Sequence, residues 1–198
     1  MPKIEQKAQT REEIMESAAQ LVRQRGIAGV PVAEVMKGAG LTVGGFYAHF
    51  ASKAELIDEA LRRTARELRD RLFARIEDKP VADRAEVILK RYLSPAHRDL
   101  QTEGCPMPAI VGEIGTTAPE HAAVLRETLE MLTAGLEEQL PPSRALPRRH
   151  LALGLAALMY GGLSLARALK GTELSNEVLK ACRALGTFAA RSDERRTS

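Results

Sequence analysis

The chain is predicted to be all-α, and three observations carry that expectation. Apolar residues recur at three- and four-residue spacings, Gly and Pro punctuate the gaps, and no stretch alternates apolar with polar as a half-buried strand would. Composition agrees: only 4% of residues are aromatic and Trp is absent, which suits packed helices better than sheets rich in β-branched and aromatic side chains. At 198 residues, with 44% hydrophobic and 28% charged residues, the chain can build a real core, and a disordered class is excluded.

The elements follow in order. Residues 1–9 are polar and are expected to fray. Thr10 and Glu13 have capping-box spacing, and the stripe Ile14, Ala18, Leu21 and Val22 continues that helix to Gly26. A short second helix is predicted from about Val32 to Gly38, with Pro31 near its start. Ala39-Gly40-Leu41 makes a tight turn, and Thr42 caps a third short helix through His49. Ser52 and Glu55 form a second capping box for a long helix to about Asp78, with Leu56, Leu61, Leu68, Leu72 and Ile76 on its inner face. Further helices are expected at about 82–94, 105–115, 119–140, 147–170 and 174–191. The breaks fall at Pro95, Gly104, the Gly115–Pro119 stretch, Pro141-Pro142 and Gly171.

The informative stretch is VPVAEVMKGAGLTVGGFYAHFASKAEL, residues 30–56. Two short helices joined by a turn at Gly40 make a helix-turn-helix. Ala33, Val35, Met36 and Ala39 can lock against Leu41, Phe46 and Phe50, which leaves Thr42, Val43, Gly44, Gly45, Tyr47 and Ala48 toward solvent. Small side chains at the start of an exposed helix allow close approach to base edges in a major groove. Thr42, Tyr47, His49 and Lys53 suit phosphate contacts, which position a protein on DNA, while base contacts specify sequence. Val43 can meet a thymine methyl.

Gly26 followed by AGLTVGGFYAHFASKAEL resembles the DNA-binding headpiece of the TetR family of repressors, carried by Gly40, Gly44, Tyr47, His49, Phe50, Lys53 and Leu56. The resemblance covers about the first 56 residues. It implies nine or so helices, with a helix-turn-helix DNA-binding domain at 1–51 and a helical ligand-binding and dimerisation domain at 52–198. It also implies a partly palindromic operator, a homodimer built on the last two helices, and release when a small molecule enters the core. An activator would use the same headpiece. Such headpieces often carry Ser or Thr near the start of the second helix, where Val30 to Ala33 stand here.

The back half fits those implications. In RRHLALGLAALMYGGLSLARALK, Gly154, Ala157, Gly161, Ser164 and Ala168 form a small-residue face, and Leu151, Leu155, Leu158, Leu165 and Leu169 supply apolar area. The last helix adds Val178, Ala181, Cys182, Leu185, Phe188 and Ala189, and a dimer interface accounts for both helices. Candidate inward-facing ligand contacts are Tyr92, Met107, Ile110, Val111, Glu113 and Met159, with Leu72, Ile88, Ile114, Leu129 and Leu132 beside them. Glu113 could orient a polar or cationic ligand. Cys105 opens a helix, where the dipole would lower a thiol pKa, and is a candidate thiol sensor.

Other classes are excluded by spacing. Cys105 and Cys182 form no CxxC, and no histidines pair at metal-binding distance, so neither metal nor cofactor is expected. Cys105 with His97 or His121 and Glu113 lacks nucleophile–base spacing, and there is no nucleotide loop, so an enzyme is not expected. The charge of +3 permits contact with nucleic acid without requiring it. No apolar leader opens the chain. The run Leu151 to Ala166, about 16 residues, falls short of the ~20 that cross a bilayer, so a cytoplasmic protein with no membrane partner is expected.

Overall fold

The computed structural model describes residues 3–100, 103–142 and 146–191. Among these there are nine α-helices, two 3-10 segments and no strand: α1 Lys3–Arg25, α2 Val32–Gly38, a 3-10 segment Val43–Ala48, α3 Lys53–Phe73, α4 Val81–Tyr92, α5 Pro95–Asp99, α6 Met107–Thr116, a 3-10 segment Pro119–His121, α7 Ala122–Gln139, α8 Arg148–Ala168 and α9 Glu173–Arg191.

Four local expectations are corrected. α1 begins at Lys3, so residues 3–9 are helical and Thr10 sits inside a helix instead of capping one; the strong formers Glu, Gln, Lys and Ala extend it. The third helix is a 3-10 segment, because Gly44-Gly45 disfavours α propagation and its first turn closes by an i+3 bond from Gly45 N–H to the Thr42 carbonyl at 3.1 Å. α3 stops at Phe73, and Arg75 adopts a left-handed φ of 52°. The Pro95 region, expected as a break, contains α5: Ser94 Oγ accepts the His97 N–H at 3.1 Å and Pro95 takes the first helical position.

The Ser52–Glu55 box forms, with Glu55 N–H donating to Ser52 Oγ at 3.1 Å while the Glu55 carboxylate reaches back to Ala51 N–H at 2.6 Å. Leu56, Leu61, Leu68 and Leu72 are buried, as expected from their helical spacing, and Ile76 is buried although it lies beyond the end of α3.

The chain divides into two compact units, one from Met1–Arg66 with Gln101–Thr128 and one from Glu67–Leu100 with Leu129–Ser198. In the first, Ile14, Ala18, Val22, Val35, Met36, Phe46, Phe50, Leu56, Leu61 and Ile110 are buried. α1 and α2 cross closely: Ser17 Oγ donates to the Val35 carbonyl at 2.9 Å, and a Cβ on Gly38 would overlap that hydroxyl. His121 Nδ1 lies 2.7 Å from Asp58 Oδ1, and the Arg62 guanidinium pairs with Glu127 at 2.7 Å.

In the second unit, α8 packs on α9 and α4. A Cβ on Gly162 would lie 2.8 Å from Cys182 Sγ, and one on Gly186 would lie 2.7 Å from Leu89. Glycine therefore sets how closely these helices approach. Tyr92 meets His97 edge-on at 4.6 Å and lies 6.3 Å from Tyr160. α8 is long and apolar enough to cross a membrane by length and composition, with 44% of that window buried inside the chain.

Candidate nucleic-acid interface

The helix-turn-helix is fixed by backbone chemistry before any side chain acts. At the end of α2, Leu41 N–H bonds the Met36 carbonyl at 2.8 Å and Gly40 N–H bonds that of Lys37 at 3.0 Å, with Gly40 at φ 71°. This is a Schellman closure, which needs a left-handed residue at the position Gly40 holds. Val35 and Met36 on one side and Phe46 and Phe50 on the other are buried, so the two short elements share a core. Ala33, expected in that lock, is exposed.

The turn leaves a defined set of residues open. Thr42, Val43, Gly44, Tyr47 and Ala48 are exposed, and Gly45 and His49 are half-buried. Tyr47 is 78% exposed and Val43 50%, on either side of buried Phe46. The Thr42 hydroxyl makes no capping bond. Lys53 turns partly inward, with Nζ donating to the Ile27 carbonyl at 3.3 Å and donor capacity left over.

Arg11 is a residue that sequence reasoning missed. Its guanidinium forks onto the Glu59 carboxylate, donates to the His49 carbonyl at 3.4 Å and lies 4.3 Å from the Phe50 ring centroid. That hydrogen bond to Glu59 raises the Arg11 pKa and holds the Glu59 carboxylate below its ordinary range. Arg11 thus braces the end of the exposed segment. The partners lie 38 to 48 residues away, so local pattern carried no signal for it.

A second exposed face lies on the second unit. Gly154, Ala157, Gly161 and Ala168 of α8 are exposed, and so is Leu165. On α9, Leu174, Ala181, Leu185 and Phe188 are exposed at three- and four-residue steps beside half-buried Val178, with Leu185 at 59% and Phe188 at 67%. Leu179, Gly186 and Ala190 fill the opposite, buried side of α9.

The predicted ligand contacts are distributed over both units. Tyr92 and Met159 are buried in the second unit, and Met107 and Ile110 are buried in the first. Val111 is exposed. Glu113 is already engaged, its carboxylate accepting the Ala28 N–H at 2.9 Å. Cys105 is buried, 1% exposed, two residues before α6. Cys182 is a free thiol, and burial pushes its pKa up. No group of three or more His, Cys, Asp or Glu suited to a metal ion occurs among the described residues.

Comparison with known proteins gives a consistent picture. A family model described as bacterial regulatory proteins, tetR family, matches residues 14–60. The HTH-type transcriptional repressor KstR2 of Mycobacterium tuberculosis is 43% identical over 68 residues, which is 34% of this chain and 32% of that protein. The chain thus matches about a third of that relative's length. The HTH-type transcriptional regulator BetI of Cronobacter sakazakii is 25% identical over 187 residues, covering 91% of this chain and 90% of that one. A solved TetR transcriptional regulator from Chloroflexus aurantiacus superposes with a TM-score of 0.76 at 26% identity, covering 92% and 94% of the two chains.

Proposed function

The chain belongs to the TetR family of regulators, and on that premise we propose that it is a homodimeric transcriptional repressor released from a palindromic operator by a small-molecule effector. The observation that carries the reading is the open surface at Thr42–Ala48. A hydrogen-bonded turn presents Tyr47, Val43 and Gly44 to solvent, with half-buried Gly45 beside them. In this reading Thr42, Tyr47, His49 and Lys53 contact phosphates, and Val43, Gly44 and Gly45 lie against base edges in the major groove.

The second copy would cover the α8–α9 face. Exposed Leu165, Leu174, Leu185 and Phe188 form the large apolar patch that a monomer avoids and an obligate dimer buries. A two-fold pair of headpieces would read half-sites one helical turn apart, about 34 Å. The likeness of the headpiece to a protein named a transcriptional repressor supports the sign of regulation. Acting on DNA, it would work in the cytoplasm, as a regulator and not as an enzyme.

The buried candidates for effector contact are Tyr92 and Met159 in the second unit and Met107 and Ile110 in the first, apolar apart from the Tyr92 hydroxyl. Val111 and Glu113 leave that set, one exposed and the other engaged. A thiol-reactive effector acting at Cys105 is a second route. An adduct on a side chain only 1% exposed must displace its neighbours at the start of α6. On either route the effector would move the two recognition segments out of register with adjacent major grooves.

The test is selection of bound genomic fragments by the purified protein across a salt series. One enriched palindrome, with affinity falling steeply as salt rises, is the expected result. Failure to enrich any fragment even at low salt would refute the reading.

A further inference from the structure

The loop between α1 and α2 sets the direction in which the helix-turn-helix leaves the first helix. Two side chains from distant parts of the sequence hold it. Lys53 donates to the Ile27 carbonyl, and Glu113 Oε2, 85 residues away, accepts the Ala28 N–H at 2.9 Å. Ala28 is exposed and lies in no helix, and its N–H has no other acceptor among the described residues.

The neighbouring glycine is shaped to the same carboxylate. Gly26 is buried at φ 73°, and a Cβ placed there would overlap Glu113 Oε1 and come within 2.8 Å of Glu113 Cδ. One carboxylate oxygen thus takes the loop's N–H while the other fills the space where any other residue would carry a side chain. Glu113 is also fixed from behind. Its own carbonyl accepts the Thr117 and Ala118 N–H groups at 2.7 and 2.8 Å, and Met107, Ile110 and Ile114 anchor α6 in the core.

We propose that Glu113 is a positioning residue for DNA reading: it latches the α1–α2 loop to α6 and so sets the orientation of the segment that enters the groove. This rests on the DNA-binding reading above and gives it a mechanical link. A shift of α6 of about 1 Å would take a 2.9 Å bond beyond useful hydrogen-bond length. The loop would then be released without any change in the recognition residues themselves.

The test uses the full-length protein and three variants. Glu113→Ala should speed amide exchange at Ala28 about tenfold and weaken binding to the selected fragment about tenfold, the range expected for a lost hydrogen bond. Binding to random DNA should change less, because phosphate contacts remain. Glu113→Gln keeps an acceptor oxygen and should restore most of both. Gly26→Ala should cost much less thermal stability in the Glu113→Ala background than alone, since the overlap is relieved and only the backbone strain remains.

Unchanged Ala28 exchange and fragment affinity in Glu113→Ala would overturn the proposal. So would an equal loss on specific and random DNA, which marks a general fold defect. If the wild type binds no fragment while Ala28 exchange still responds to Glu113→Ala, the DNA-binding reading falls and the role in DNA reading with it. The loop contact alone would then survive.

Discussion

Two surfaces of this chain expose glycine and large hydrophobic residues together, yet they differ in kind. At Gly44, and at Gly154 and Gly161 of α8, a Cβ would meet nothing within 4 Å. At Gly26, Gly162 and Gly186 the space is already taken by Glu113, Cys182 and Leu89. The second group is explained inside the chain and the first is not. Around Gly44 the exposed set is sparse, with a hydroxyl, a phenol and one Val. Around Gly154 and Gly161 it is broad, with Leu165, Leu174, Leu185 and Phe188. A sparse polar surface suits a hydrated, charged partner, whereas a broad apolar one suits a copy of itself.

The contrast is broken most strongly on the apolar side. Replacing Leu185 and Phe188 together by Glu should raise the dimer dissociation constant about a thousandfold, or ~4 kcal/mol for two buried anchor positions facing their copies. Helical content should stay the same, because both side chains face away from the chain's own core. Sedimentation velocity read beside circular dichroism separates the cases. A dimer that survives the double substitution assigns this face to something other than self-association.

Acid should act on the second unit through His97. Burial lowers its pKa to about 4, outweighing the opposing Tyr92 carbonyl bond, with smaller lowering contributions from Arg167 and Arg71. The folded state therefore prefers the neutral ring. The resulting stability is complete above the unfolded value of about 6.5 and is lost as pH falls from there through about 4, roughly 3 kcal/mol in all. Asp99, held near 2 chiefly by Arg98 and then Lys170, stays charged over most of that window. Urea midpoints measured between pH 7.5 and 4 should decline in the wild type and decline less in His97→Gln. Parallel declines would place the acid sensitivity elsewhere.

These regions were unequally legible in the sequence. The turn at Gly40 and the Ser52–Glu55 box were readable because their partners lie within five residues. The α8 and α9 stripes were readable because helical period alone sorts their faces. Arg11 and Glu113 were not, since each acts on groups dozens of positions away, and no local pattern says which carboxylate reaches which amide. α5 was missed for another reason. Pro95 reads as a stop, and only the Ser94 cap turns it into a first helical residue.

On the polar side, Tyr47→Phe tests the sparse surface with little change in shape. Loss of a hydrogen bond to a charged phosphate should weaken each half-site about tenfold, and the dimer on its palindrome about a hundredfold. Dimerisation and melting temperature should not move, because a side chain 78% exposed contributes little to the core. Electrophoretic shift titrations on the selected fragment measure this. Unaltered affinity would remove Tyr47 from the interface.

The smallest effect is the most discriminating. Gly44→Ala adds one methyl group where the chain leaves open space, so stability should rise by about 0.5–1 kcal/mol from the reduced freedom of the unfolded state. Gly154→Ala should give the same gain for the same reason. The two then part: Gly44→Ala should weaken DNA binding and leave the dimer alone, and Gly154→Ala should weaken the dimer first. Each glycine is kept, on this account, against the chain's own stability for a partner that comes close. Thermal melts, sedimentation and DNA titrations on the same two proteins decide it. A Gly44→Ala protein that is more stable and binds DNA as before would mean that the open space at Gly44 is tolerated, not used.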